Sequence, residues 1–179
     1  MKKIVRPKVV ICWTIVAIGV LTVALLLTGC GGQNENAGWK NLFSDVGPAW
    51  SPDSSKIAFS SPNKWEGFDI WVVNADGSNK VKFNNDAAYY NAFSPAWSPD
   101  GSRIAFVSVG AEEKFDIWVM DADGSNQINL TNNKFNSPDS PALSPDGSKI
   151  AFVSAGAKEK FDIWVMNADG SNKINLTSN

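Results

Sequence analysis

The side chains that could do chemistry in this chain are aspartates, aromatic rings and one cysteine. Asp69, Asp116 and Asp162 occupy one recurring position, each between a Phe and an Ile. A catalytic carboxylate would not need three equivalent copies. These acids are therefore expected to be structural, accepting backbone or hydroxyl hydrogen bonds near the inner edge of a repeated unit. Asp121-Ala122-Asp123-Gly124-Ser125 opens like a calcium loop but lacks the full pattern with its terminal Glu. Asn74 and Asn167 stand where the other copies would need Asp121. Asp and Asn also close tight turns through their own backbone, so turn chemistry is the reading and no metal is predicted. Trp71, Trp118 and Trp164 share one position and read as core packing. The chain has no histidine, which removes the commonest general base and transition-metal ligand. No Gly-x-Ser-x-Gly elbow or phosphate loop appears. No catalytic residue and no cofactor is predicted, and the chain reads as not an enzyme.

Charge and leader constrain where the chain works. Of its 16 basic side chains, four (Lys2, Lys3, Arg6, Lys8) precede residue 30, so 12 face 18 acids in the remainder, a net of −6. An acidic body argues against nucleic-acid binding, which needs a basic stripe. After the basic start, Val9 to Leu27 is apolar and Leu27-Thr28-Gly29-Cys30 follows. Basic, apolar, small is the order of an export signal. The last four residues resemble the lipobox of bacterial lipoproteins. That resemblance implies cleavage after residue 29 and lipidation of Cys30, with the signal over 1–29. The competing reading is an uncleaved anchor, since the apolar run is just long enough to span. Either way the body is expected outside the cytoplasm, in the periplasm or on the cell surface, and held at the membrane. Residues 30–38 read as the lipidated cysteine and a flexible tether. The body lacks a cysteine pair and so has no internal disulfide.

The elements that position these groups recur. Pro-Ala-Trp-Ser-Pro-Asp begins at Pro48 and Pro95 and returns as Pro-Ala-Leu-Ser-Pro-Asp at Pro141, spaced by 47 and 46 residues. Phe-Asp-Ile-Trp-Val recurs at Phe68, Phe115 and Phe161, followed each time by Ala-Asp-Gly-Ser-Asn. In the second copy Arg103–Ser108 and Phe115–Met120 are apolar on both alternations, as strands buried on two faces are. Asp-Gly then marks a hairpin, and Gln127–Thr131 alternates like a half-exposed edge strand. Each copy is thus predicted to be four antiparallel strands. A small sheet buried on both faces must stack on its own copies, and this period makes it a propeller blade. The fold class is all-β: three four-stranded blades, a partial propeller or half of a dimeric ring. They fall at about 44–91, 92–137 and 138–179, within a region spanning 39–179. Lys40-Asn41-Leu42-Phe43 aligns with the outer strands and reads as an orphan edge strand.

This series of motifs resembles the TolB-type propeller repeat over residues 48–177. Leu143 departs from Trp50 and Trp97, and Ser54 departs from Gly101 and Gly147. TolB-like propellers bind peptidoglycan-associated lipoprotein, so the resemblance implies protein interaction at the cell envelope.

Strand parity places the near-identical Ser-Pro-Asp and Ala-Asp-Gly-Ser-Asn turns on one face and the variable loops on the other. Variable loops on a rigid scaffold are where binding usually resides. The candidate binding residues are Trp65, Glu66, Tyr89, Tyr90, Glu112, Lys114, Phe135, Lys158 and Lys160. The competing reading has Tyr89, Tyr90 and Phe135 covering the cores between blades. A further alternative is a carbohydrate or small-ligand binder that stacks its ligand on Trp65, Tyr89 and Tyr90. Propellers close with about 4–8 blades. Three leave either a homodimeric ring or a truncated, non-functional fragment of a longer propeller as alternatives.

Overall fold

A computed structural model describes residues 44–63, 67–83, 91–109, 114–155 and 160–178. The leader, Cys30, the tether and the orphan strand at 40–43 lie outside the described residues. The first sheet holds β1 (Val46–Trp50), β2 (Lys56–Pro62), β3 (Phe68–Asn74) and β4 (Val81–Lys82). The second holds β5 (Ala92–Trp97), β6 (Arg103–Val109), β7 (Phe115–Asp121) and β8 (Ile128–Asn129). The third holds β9 (Asn136–Leu143), β10 (Lys149–Ala155), β11 (Phe161–Asn167) and β12 (Ile174–Asn175). Every sheet is antiparallel with its strands in chain order. These are the three four-stranded blades that the repeats predict.

The first strand of each blade is bulged for a local reason. Pro48, Pro95 and Pro141 cannot donate to a ladder, and pairing slips beside each. The residue before each proline turns left-handed, with φ of 61° at Gly47, 54° at Ser94 and 51° at Ser140. The inserted residue bends the strand. The third blade's first strand starts at Asn136, just ahead of the blade boundary at about 138, and Asn136 pairs with Ala155 of β10. The outer strands are shorter than the alternation of Gln127–Thr131 suggests. In β8 the ladder ends because the amide of Ile117 donates to Thr131 Oγ1, 3.0 Å away, instead of to a backbone carbonyl.

The blades stack in sequence, β5 against the first sheet and β9 against the second. Between the first two lie Ile70, Val72 and Phe83 from one side and Ile104, Phe106, Met120, Trp97 and Trp118 from the other. Between the second and third lie Val107, Ile117, Val119 and Leu130 against Ile150, Phe152, Met166, Leu143 and Trp164. Each core uses the same strand positions, so each blade has a leading face toward its predecessor and a trailing face toward its successor. Trp97 Nε1 reinforces the first junction by donating to Ala49 O at 3.2 Å. Leu143, at the equivalent place, has no such donor.

Candidate interaction face

The two ends of the blades are built differently. At one end every Ser-Pro-Asp turn is closed by its own aspartate. Asp100 accepts from Ser98 Oγ at 2.6 Å and from the amide and hydroxyl of Ser102 at 3.0 and 2.9 Å. Asp53 and Asp146 repeat this with Ser51, Ser55, Ser144 and Ser148. Hydrogen bonds from the first serine hydroxyl, then from the second serine, lower all three carboxyls from 3.8 to about 2. In the other turn at this end, Ser125 donates to Asp123 and Asn126 to Asp121 Oδ2 at 2.7 Å. The carboxylates with calcium-like spacing thus accept hydrogen bonds within their own turn. Among the described residues no three acidic or sulfur side chains gather to hold a metal.

At the opposite end, the repeated aspartate is the second residue of β3, β7 and β11, where the β2–β3-type loops return to the sheet. Asp116 is fully buried and accepts from Thr131 Oγ1 at 2.5 Å, Asn129 Nδ2 at 2.8 Å and the Asn133 amide at 2.8 Å. Asp162 accepts from Asn175 Nδ2 at 2.8 Å and Thr177 Oγ1 at 3.3 Å. In the first blade Lys82 replaces the asparagine and lies 3.5 Å from Asp69, which also accepts from Asn63 Nδ2 at 3.1 Å. The aspartates are structural acceptors, as expected. The side-chain partners of Asp116 and Asp162, however, come from the outer strand and the residues just after it. The reason is the antiparallel register, which sets Trp118 opposite Asn129 and brings Thr131 beside Asp116. The threonine and asparagine partners went unnoticed in the sequence. Their signal was Asn-Leu-Thr, present after β7 and β11 where the aspartate is clamped by a hydroxyl, and absent after β3.

The clamp fixes the roots of the variable loops. The amide of Phe68 donates to Asn91 Oδ1 at 3.0 Å, tying the first connection between blades to the start of β3. Asn63 and Gly67 bond each other across the first β2–β3 loop. Phe135 is half-buried, edge-on to Phe152 and Trp164 at centroid distances of 5.0 and 4.9 Å. Its ring pins the Asn132–Asn136 connection to the third blade. Lys114 and Lys160 are exposed at the starts of β7 and β11. Trp65, Glu66, Tyr89, Tyr90, Glu112 and Lys158 lie outside the described residues.

A model of the TolB beta propeller domain family matches residues 24–179. No curated protein matches the chain. Among solved structures, a protein assigned as TolB from Agrobacterium tumefaciens has a TM-score of 0.65 at 24% identity, covering 76% of this chain and 50% of that one. TolB from Acinetobacter baumannii scores 0.61 at 21% identity, covering 74% of this chain and 32% of that one. An oligogalacturonate lyase in complex with manganese also scores 0.61, at 22% identity, covering 75% of this chain and 36% of that one. The chain thus spans half the length, or less, of these three neighbours, and the likeness is one of fold.

Proposed function

The chain belongs to the TolB beta propeller domain family, and from that premise we propose that it is a lipid-anchored, extracytoplasmic scaffold that binds a cell-envelope protein through its variable-loop end. One observation carries the reading: a buried aspartate in each blade holds the roots of those loops, while the opposite end is closed by self-bonded turns. Rigid roots lower the entropy lost when a loop meets a partner. Cys30 supplies the anchor, and the tether over 31–38 gives the propeller reach from the membrane. The partner class follows from the family: an envelope protein such as a peptidoglycan-associated lipoprotein.

Two experiments test this. Labelled palmitate should enter the wild-type chain and hold it in the membrane fraction, and Cys30→Ser should abolish both. Calorimetry with purified peptidoglycan-associated lipoprotein should show binding that is lost in a Trp65→Ala, Tyr89→Ala, Tyr90→Ala triple variant and kept in Asp76→Asn, a change in the self-bonded turn after β3 where Asp76 accepts from Ser78. Absence of binding by the wild type would overturn the partner assignment. The second reading, a glycan binder stacking sugars on Trp65, Tyr89 and Tyr90, draws on the fold shared with an oligogalacturonate lyase. Retention on a glycan array with loss in the same triple variant would select it. Turnover of a glycan would replace both readings with an enzymatic one.

A further inference from the structure

The two end faces of the three-blade stack are complementary halves of the junction that this chain already makes twice. Among the described residues no sheet stacks on the trailing face of the third blade or on the leading face of the first. On the trailing face, Leu176 is 59% exposed where its counterpart Leu130 is 5% exposed, and Ile163 is 40% exposed where Ile117 and Ile70 are fully buried. On the leading face, Trp50 is 57% exposed, at the position where Trp97 crosses to the preceding blade. The turn glycines show the same gap. A Cβ on Gly124 would meet Phe83 at 3.0 Å and one on Gly170 would meet Leu130 at 3.1–3.2 Å, but one on Gly77 would meet nothing within 4 Å. Gly77 is thus a seat for a side chain of the kind that Leu176 presents. The Ser-Pro-Asp turns follow suit, since Gly101 abuts Pro52 and Gly147 abuts Pro99 at ordinary contact distances that also admit the Cβ of Ser54.

We propose that a second copy of this chain covers both faces, so that two copies close a six-bladed ring. Blade three of each copy packs on blade one of the other. Leu176 seats on the partner's Gly77, and the partner's Trp50 donates to Ala142 O as Trp97 does to Ala49 O. With three described blades per copy, two copies supply six, which lies within the roughly 4–8 blades at which propellers close. The contact is head to tail and ends after two copies because the rotation closes. This inference does not depend on which ligand the loop end binds.

The test uses the full chain in one mild detergent, followed by sedimentation velocity across a concentration series. Wild type should sediment as a dimer that dissociates on dilution. Trp50→Asp and Leu176→Asp, both at exposed positions, should each lose the dimer while keeping the far-ultraviolet circular dichroism of the wild type. An equimolar mixture of the two variants should regain a dimer, because one junction then joins an intact Leu176 to an intact Trp50. A wild type that stays monomeric, that grows into polydisperse aggregates, or whose association survives both substitutions would overturn the proposal. So would failure of the mixture to associate.

Discussion

At the scale of single residues, the aspartates divide into two populations with opposite solvent access. The aspartates of the Ser-Pro-Asp turns, Asp53, Asp100 and Asp146, are exposed, and their carboxyls sit at about 2 because serines donate to them. A carboxyl with a lowered folded-state value stabilises the fold fully above the unfolded value and loses that contribution as pH falls through the folded one. For Asp53, Asp100 and Asp146 the window runs from 3.8 down to about 2. Side-chain carbon shifts should show Asp100 titrating near the bottom of that window. In Ser98→Ala the midpoint should rise, yet stay below the ordinary value because Ser102 still donates. The buried aspartates behave differently. Asp116→Ala strands three donors in the interior and should cost about 3 kcal/mol. Asp162→Ala should cost measurably less in the same urea titration, because exposed Thr177 can turn to water. The structural role of these acids was legible from their threefold recurrence. Their direction was not, since the bond to Thr131 spans 15 residues and depends on register.

At the scale of strands and turns, the repeat period and the doubly apolar strands were enough to predict four strands per blade. The outer strands were overestimated because alternation in Gln127–Thr131 reports which side is wet, not which backbone groups pair. There Thr131 takes the place of a ladder carbonyl. The first strands were harder to read for a second reason: proline and a left-handed residue break their alternation at the centre. The turn glycines allow packing between blades to be separated from backbone strain. Gly77 and Gly124 have φ of 85° and 87°, so alanine at either bears about the same left-handed penalty, roughly 1–2 kcal/mol. Only at Gly124 does the added methyl meet Phe83 at 3.0 Å. Urea unfolding of dilute protein should therefore show Gly124→Ala less stable than Gly77→Ala. Equal losses would mean that the turn does not bear on the neighbouring blade.

At the scale of the whole molecule, a stack of blades is a one-dimensional assembly in which each unit is stabilised by its neighbours. The sequence shows three units but not how their outer faces are covered, because the positions that bury a junction are apolar in every copy. Only the structure separates Leu130, enclosed between blades, from Leu176, which is not. That difference has a measurable consequence. The second blade has both faces covered, with Ile104, Ala105, Phe106, Val107 and Ile117 at or near zero exposure, so its local opening should require the largest free energy. The third blade relies on one covered face. Native-state hydrogen exchange on dilute protein should find the amides of β6 and β7 slowest and those of β10 and β11 faster. Raising the concentration should slow β10, β11, β2 and β3 while leaving β6 and β7 almost unchanged, if the outer faces meet in a second copy. Protection that rises equally in all three blades would instead point to a general change in stability, and concentration-independent protection would mean that the outer faces stay open.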